Sequence, residues 1–372
     1  MNLRSVRLAA PAAVLSLAFA LSACGGGTTT GAGTPSPSAS TGATGAALSG
    51  EVNGAGASSQ QAAMQAWIAG FTADHPDVTI NYDPSGSGAG RDQFTAGAVN
   101  FAGSDAYLDD AELAKAAQVC GGRDNVIELP TYISPIAIIF NLPGINQLKM
   151  SPDVIAGIFK QDITKWNDPA IAKLNPGVTL PGTAITPVNR SDESGTTENF
   201  TDYLSQAAPK VWTYEASGNW PVKGGEAAQG TSGVVNAVKN GQGAIGYADA
   251  SQAGSLGTVA VQVGDKFLVH TPQAAAAIVD AATPVSGRGT HDFAVNLDRT
   301  PDTGAYPVVL LSYELACTQY SDAQTAAIVK AFLGYLISPQ GQQAAAQAAG
   351  SAPISESVRV RAQKAVDAIS AA

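Results

Sequence analysis

Three stretches of the chain place a small hydroxyl residue and glycine immediately ahead of an expected helix. They are Gly54-Ala55-Gly56-Ala57-Ser58-Ser59, Ser85-Gly86-Ser87-Gly88-Ala89-Gly90 and Arg190-Ser191-Asp192-Glu193-Ser194-Gly195-Thr196. A helix start offers unpaired N–H groups and about half a positive charge, so it favours an anion. Glycine lets an anion approach the backbone, and serine or threonine adds a hydroxyl donor. The same pattern serves plain N-capping, which would account for any one of these segments taken alone. Three in one chain, one of them beside Arg190, make an oxyanion site worth proposing. A guanidinium can bond an oxyanion through two parallel N–H groups. Asp192 stands two residues on and can steady it; the alternative is a surface pair worth under ~1 kcal/mol.

A fourth stretch, Val99-Asn100-Phe101-Ala102-Gly103-Ser104-Asp105-Ala106, reads as a strand ending in a turn that presents Ser104 and Asp105. A carboxylate repels an anion unless that anion still carries a proton, which the carboxylate accepts as a strong charge-assisted bond. Phosphate is protonated near neutral pH and sulfate is not. Asp105 would therefore admit phosphate and reject sulfate by an unanswered acceptor and like-charge repulsion. The competing reading is that Asp105 caps the turn after it.

The elements that must position these groups alternate along the chain. Ala63, Trp67 and Phe71 recur at helical spacing within 60–74, and 78–82 alternates as a strand. A short helix through Phe94 follows the second glycine-rich turn. The apolar run 135–142 reads as a buried strand, with further strands at 184–188, 243–247, 259–263 and 306–313. Helices are expected over 322–337, 340–349 and 355–370. Such alternation predicts α/β layers with mainly parallel sheets. At 372 residues the chain is long enough for two domains.

Composition removes several classes of function. Hydrophobic residues make 45% of the chain and charged ones 13%, which excludes a wholly disordered protein. A net charge of -10 argues against nucleic acid as a partner. With 3 Cys and 3 His, neither a zinc-ribbon array nor a His-rich metal site is expected, and no cofactor is called for. The segment 86–91 lacks the lysine and spacing of a nucleotide-binding P-loop, and there is no G-x-S-x-G elbow. His75, His270 and His291 lie outside the serine-rich turns, so a serine hydrolase lacks its base, and His75 is expected to be solvated. Trp67, Trp166, Trp212 and Trp220 read as packing residues.

The first 23 residues carry Arg4 and Arg7, an apolar run and small residues, the layout of a secretory signal. It ends Leu21-Ser22-Ala23-Cys24, which resembles a bacterial lipobox and implies cleavage before Cys24 and lipidation of it. Loss of both arginines would take the net charge from -10 to -12. Residues 24–48 hold that cysteine and an uncharged Gly/Ser/Thr/Pro tract, read as a flexible tether. Cys120 and Cys317 remain; outside the cell they are candidates to pair, and the alternative is two buried thiols.

Together these segments resemble the phosphate-binding protein of the phosphate-specific ABC transport system. The resemblance runs from about Leu48 to the C-terminus. It is carried by G-A-G-A-S-S at 54–59, G-S-G-A-G at 86–90, F-A-G-S-D-A at 101–106 and F-N-L-P-G at 140–144. K-W-N-D-P-A-I-A-K-L-N-P-G at 165–177, R-S-D-E-S-G-T-T at 190–197 and G-A-I-G-Y at 243–247 complete it. It implies a type II periplasmic-binding-protein fold, in which two α/β lobes joined by a two-strand hinge close over dehydrated phosphate. The chain would cross near Tyr132 and Tyr306, giving a discontinuous lobe I of 49–132 plus 307–372 and a lobe II of 133–306.

The implied phosphate contacts are the Ser58 hydroxyl, the Ser59 amide, Ser87, Asp105, Arg190, Ser194, Gly195 and Thr196. Asp192 and Ser104 would support them. Ser58-Ser59 stands where Thr-Phe is common in the family, and Glu193 where glycine is common. The implied partners are inorganic phosphate, transmembrane permease subunits and a cytoplasmic ATPase. The protein would be a monomer on the outer face of a bacterial membrane. Competing readings are a receptor for another tetrahedral oxyanion, an extracytoplasmic phosphatase, and an adhesin or sensing paralogue.

Overall fold

The computed structural model describes residues 47–301 and 304–372, so Cys24 and the signal and tether before residue 47 lie outside it. Among the described residues no helix is long and apolar enough to cross a membrane.

Sheet order follows from one long strand. Val126–Phe140 is buried throughout its 15 residues and belongs to two half-sheets. Up to Pro135 it pairs antiparallel with Val309–Cys317, and from Ile136 with Ala244–Asp249. Proline offers no N–H to a ladder, which suits Pro135 to the point where the strand changes partner. The first half-sheet runs Val78–Asp83, Gly50–Gly56, Phe101–Ser104, Val309–Cys317, Val126–Phe140. The second continues through Ala244–Asp249 and Thr186–Arg190 to Glu226–Ala228. Gly257–Val263 branches from the end of Val126–Phe140 and also pairs with Gln147–Met150 and Lys266–Leu268.

The sheet is mixed rather than mainly parallel. Its flanks are parallel, but the central strands pair antiparallel. A strand covered on both faces reads as a continuous apolar run whichever way it points, so the pattern could not fix direction. Two boundaries differ for a related reason. The run expected at 135–142 begins at Val126, because Glu128, Pro130 and Thr131 interrupt its apolar pattern yet are buried. The strand expected at 306–313 is Val309–Cys317 and carries Glu314 in its interior.

Helices cover each half. Gln61–Asp74 buries Ala63, Met64, Trp67 and Phe71, the face its spacing predicts. Trp67 packs edge-on to Tyr132 and donates its indole N–H to the Gly341 carbonyl at 2.8 Å, so its polar end is satisfied inside the core. Truncating such a side chain to alanine would cost about 3–5 kcal/mol. In the second half Phe200 of the helix Gly195–Ala207 packs with Phe159, Trp220 and Tyr247 in one aromatic cluster. His75 is half-buried against the Phe71 ring rather than free in water. A disulfide joins Cys120 to Cys317, with Cα atoms 5.2 Å apart, tying the end of the helix Asp110–Val119 to the last long strand.

Candidate anion-binding site

Asp105 follows directly on the strand Phe101–Ser104 and is 3% exposed. Its carboxylate accepts from the Ser59 hydroxyl at 2.7 and 2.8 Å, from Thr196 at 2.7 Å and from Ser312 at 2.5 Å. Its backbone N–H donates to Ser87 Oγ at 3.2 Å, and its carbonyl accepts from Asn199 Nδ2 at 2.7 Å. Asp105 does not cap the following turn. Ser104 Oγ bonds Ala106 there, and Asp109 caps the next helix through a reciprocal bond with Glu112.

Two helix starts bring hydroxyls to this carboxylate, Ser59 and Thr196, and a third meets the Asp105 backbone through Ser87. Gly195 opens the helix Gly195–Ala207, and a Cβ built on it would lie 2.8 Å from the Asp105 Cβ. Only glycine lets that helix start approach so closely, and the approach brings the Thr196 hydroxyl within bonding distance. Ser194 acts as an N-cap, accepting from the Thr197 N–H at 3.3 Å. Ser87 is the first residue of the helix Ser87–Thr95.

Ser58 accepts from the Thr231 N–H at 3.1 Å and lies 3.1 Å from the Thr231 hydroxyl. Thr231 belongs to a fourth helix start, Gly230–Asn240, whose first N–H donates to Asp192 Oδ1 at 3.0 Å. Arg190, 3% exposed, bonds Asp192 through Nε at 2.8 Å and through Nη2. Burial pushes the Asp192 carboxyl up, but the Arg190 bonds and charge and the Gly230 N–H outweigh it and hold it below the ordinary range. Ser58, Ser59, Ser87, Asp105, Arg190, Ser194, Gly195 and Thr196 are thus all buried in one region that joins both half-sheets.

A family model described as a PBP superfamily domain matches residues 41–340. The phosphate-binding protein PstS 2 of Mycobacterium tuberculosis is 34% identical over 94% of this chain and 95% of its own length. PstS 3 of the same organism is 36% identical over 84% of this chain and 85% of its own. The chain belongs to the phosphate-binding-protein family. Solved folds agree with that membership. A high-affinity periplasmic phosphate-binding protein solved with phosphate superposes with a TM-score of 0.69 at 22% identity, over 85% of this chain and 93% of that one. A phosphate-binding protein of Stenotrophomonas maltophilia gives 0.61 at 20% identity, over 85% and 94%. The fold is therefore the two-lobe periplasmic-binding fold.

Sequence reasoning missed four residues of the region. Thr231 sits in Gln229-Gly230-Thr231-Ser232-Gly233, the same device as the other helix starts, and could have been found that way. Ser312 lies within an apolar strand, where a lone hydroxyl gives no pattern. The register of Val309–Cys317 against Val126–Phe140 shifts between Ser312 and Tyr313, and such bulges re-aim a side chain. Asn199, whose side chain bridges the Asp105 and Gly195 carbonyls, lies inside a helix and looks like any exposed amide. Arg91 lies within a helix, and its partner Glu193 is 102 residues away in sequence.

Proposed function

We propose that the protein binds inorganic phosphate outside the cytoplasm and delivers it to an ABC permease for import. The observation that carries this reading is the buried Asp105 carboxylate among hydroxyl donors, with the Asp192-held Arg190 in the same buried region. Hydroxyl protons rotate, so Ser59 and Thr196 can turn theirs to an arriving anion and free an acceptor position on Asp105. Phosphate can fill that position with its own proton. Sulfate cannot, and would face a carboxylate with nothing between them. Ser58, Ser87, Arg190, Ser194, Gly195 and Thr196, with the Ser59 amide, would supply the remaining donors. The fixed dipoles replace water that the anion gives up.

Residues 49–132 plus 307–372 and residues 133–306 would move as the two lobes, and the closed form would be what the permease recognises. Ligand shifts that equilibrium by its differential affinity for the two forms. Lipidation at Cys24 and the 24–48 tether would keep a monomeric receptor beside its partner on the outer membrane face. Calorimetric titration of the purified protein with phosphate, arsenate and sulfate tests the reading. Phosphate and arsenate, both protonated, should bind, and sulfate far more weakly. Equal phosphate and sulfate affinity would defeat it, and turnover of a phosphomonoester would favour the phosphatase reading.

A further inference from the structure

Arg91 lies in the helix Ser87–Thr95 and is 6% exposed. Its guanidinium reaches three elements at once. Nε donates to Glu112 at 2.9 Å, Nη1 to the Ser104 hydroxyl at 3.0 Å and Nη2 to Glu193 at 2.9 Å. Ser104 is the residue before Asp105, and Glu193 lies between Asp192 and Ser194 in the turn that carries the other donors. The bond to Glu193 therefore joins a helix over the first half-sheet to the turn at the end of Thr186–Arg190 in the second.

The Glu193 carboxylate has room made for it. A Cβ on Gly88 would lie 1.5 Å from its Oε2, and one on Gly218 would lie 1.9 Å from its Oε1. Gly88 is the second residue of a helix whose first residue, Ser87, touches Asp105. Glu193 Oε2 is buried and bonds nothing among the described residues, and the one cation bonded to this carboxylate is Arg91, which Glu193 shares with Glu112. A negative charge held there without its cation would oppose an anion arriving at Asp105.

We infer that Arg91 is a positioning residue for anion binding, which clasps the Ser104–Asp105 strand end to the 192–196 turn and offsets the charge of Glu193. The inference rests on the phosphate-binding reading above. It also accounts for a glutamate where an anion site would otherwise exclude one: Arg91, which bonds Glu112 and Ser104 as well, holds the Glu193 carboxylate and offsets it.

The experiment is calorimetric titration with inorganic phosphate of wild type, Arg91→Ala and Arg91→Ala/Glu193→Gly, each checked for folding by thermal melting. Wild type that binds no phosphate removes the functional reading itself. Given wild-type binding, Arg91→Ala should weaken phosphate by about 30-fold or more, because the part-buried Glu193 then loses the one cation bonded to it. The double variant should recover at least about tenfold of that loss, because the opposing charge leaves with its partner. A merely structural arginine would give a double variant no better than the single one. That result, or wild-type affinity in Arg91→Ala, overturns the inference. Should Arg91→Ala fail to fold, Arg91→Lys decides. One ammonium cannot bond three elements in this geometry, so phosphate should bind about fivefold or more weaker, and wild-type affinity would overturn the inference.

Discussion

Asp105, just past the strand Phe101–Ser104, and Glu314, within its antiparallel neighbour Val309–Cys317, are two buried carboxyl groups; Glu314 faces Gly103 and Tyr313 faces Ser104. Their surroundings differ. Asp105 accepts from the hydroxyls of Ser59, Thr196 and Ser312. Glu314 accepts on Oε1 from Gln60 Nε2 at 2.9 Å, and its Oε2 is buried without a partner among the described residues. Burial pushes the Glu314 carboxyl up to about 8, against a smaller lowering by Gln60. Depth alone therefore does not make an anion site. The proposed site pairs rotatable donors with a guanidinium in the same buried region, and of these two carboxyl groups Asp105 has both. Glu314 belongs to a polar layer with Gln60 and Tyr82 beneath the first helix start.

The largest effect should come from removing the cation on the Asp105 side. Arg190→Ala is expected to weaken phosphate binding by about 2–5 kcal/mol, the range for a buried charged hydrogen bond left unpaired, as read by calorimetry. Wild-type affinity in that variant would break the contrast at its strongest point. Ser312→Ala removes one donor from Asp105 and should cost about 1 kcal/mol, near fivefold in affinity, with the fold intact by melting.

Glu314→Gln should leave phosphate affinity within about twofold and act on stability instead. A carboxyl whose folded pKa is raised stabilises fully below its unfolded value and loses that contribution as pH rises through the folded one. Wild-type melting should therefore fall between about pH 5 and about pH 8, and Glu314→Gln should flatten that fall. A phosphate affinity that collapses in Glu314→Gln would mean the two acids are one unit rather than two.

Much of this site was legible because its residues follow local rules. The helix starts at Ser58-Ser59, Ser87 and Ser194-Gly195-Thr196 announce themselves by glycine and hydroxyl content, and Arg190 with Asp192 by proximity in sequence. Helix faces such as Trp67 and Phe71 were fixed by period. What stayed hidden depends on contacts distant in sequence. Ser312 meets Asp105 across 207 residues, and Arg91 meets Glu193 across 102. No local pattern marks either. Strand direction was hidden for a different reason: Val126–Phe140 and Val309–Cys317 are covered on both faces, and that removes the alternation that distinguishes antiparallel pairs. The reach of Cys120 to Cys317 was equally a matter of tertiary distance.

The most direct test is the ratio of phosphate to sulfate affinity, measured by calorimetry at neutral pH in wild type and in Asp105→Asn. The amide keeps the size of the side chain and removes its charge, so it can donate where the carboxylate could only accept. Wild type should favour phosphate by at least about 100-fold, and Asp105→Asn should lose about tenfold or more of that preference, chiefly by admitting sulfate. An unchanged ratio in Asp105→Asn would contradict the assignment of Asp105 as the proton acceptor.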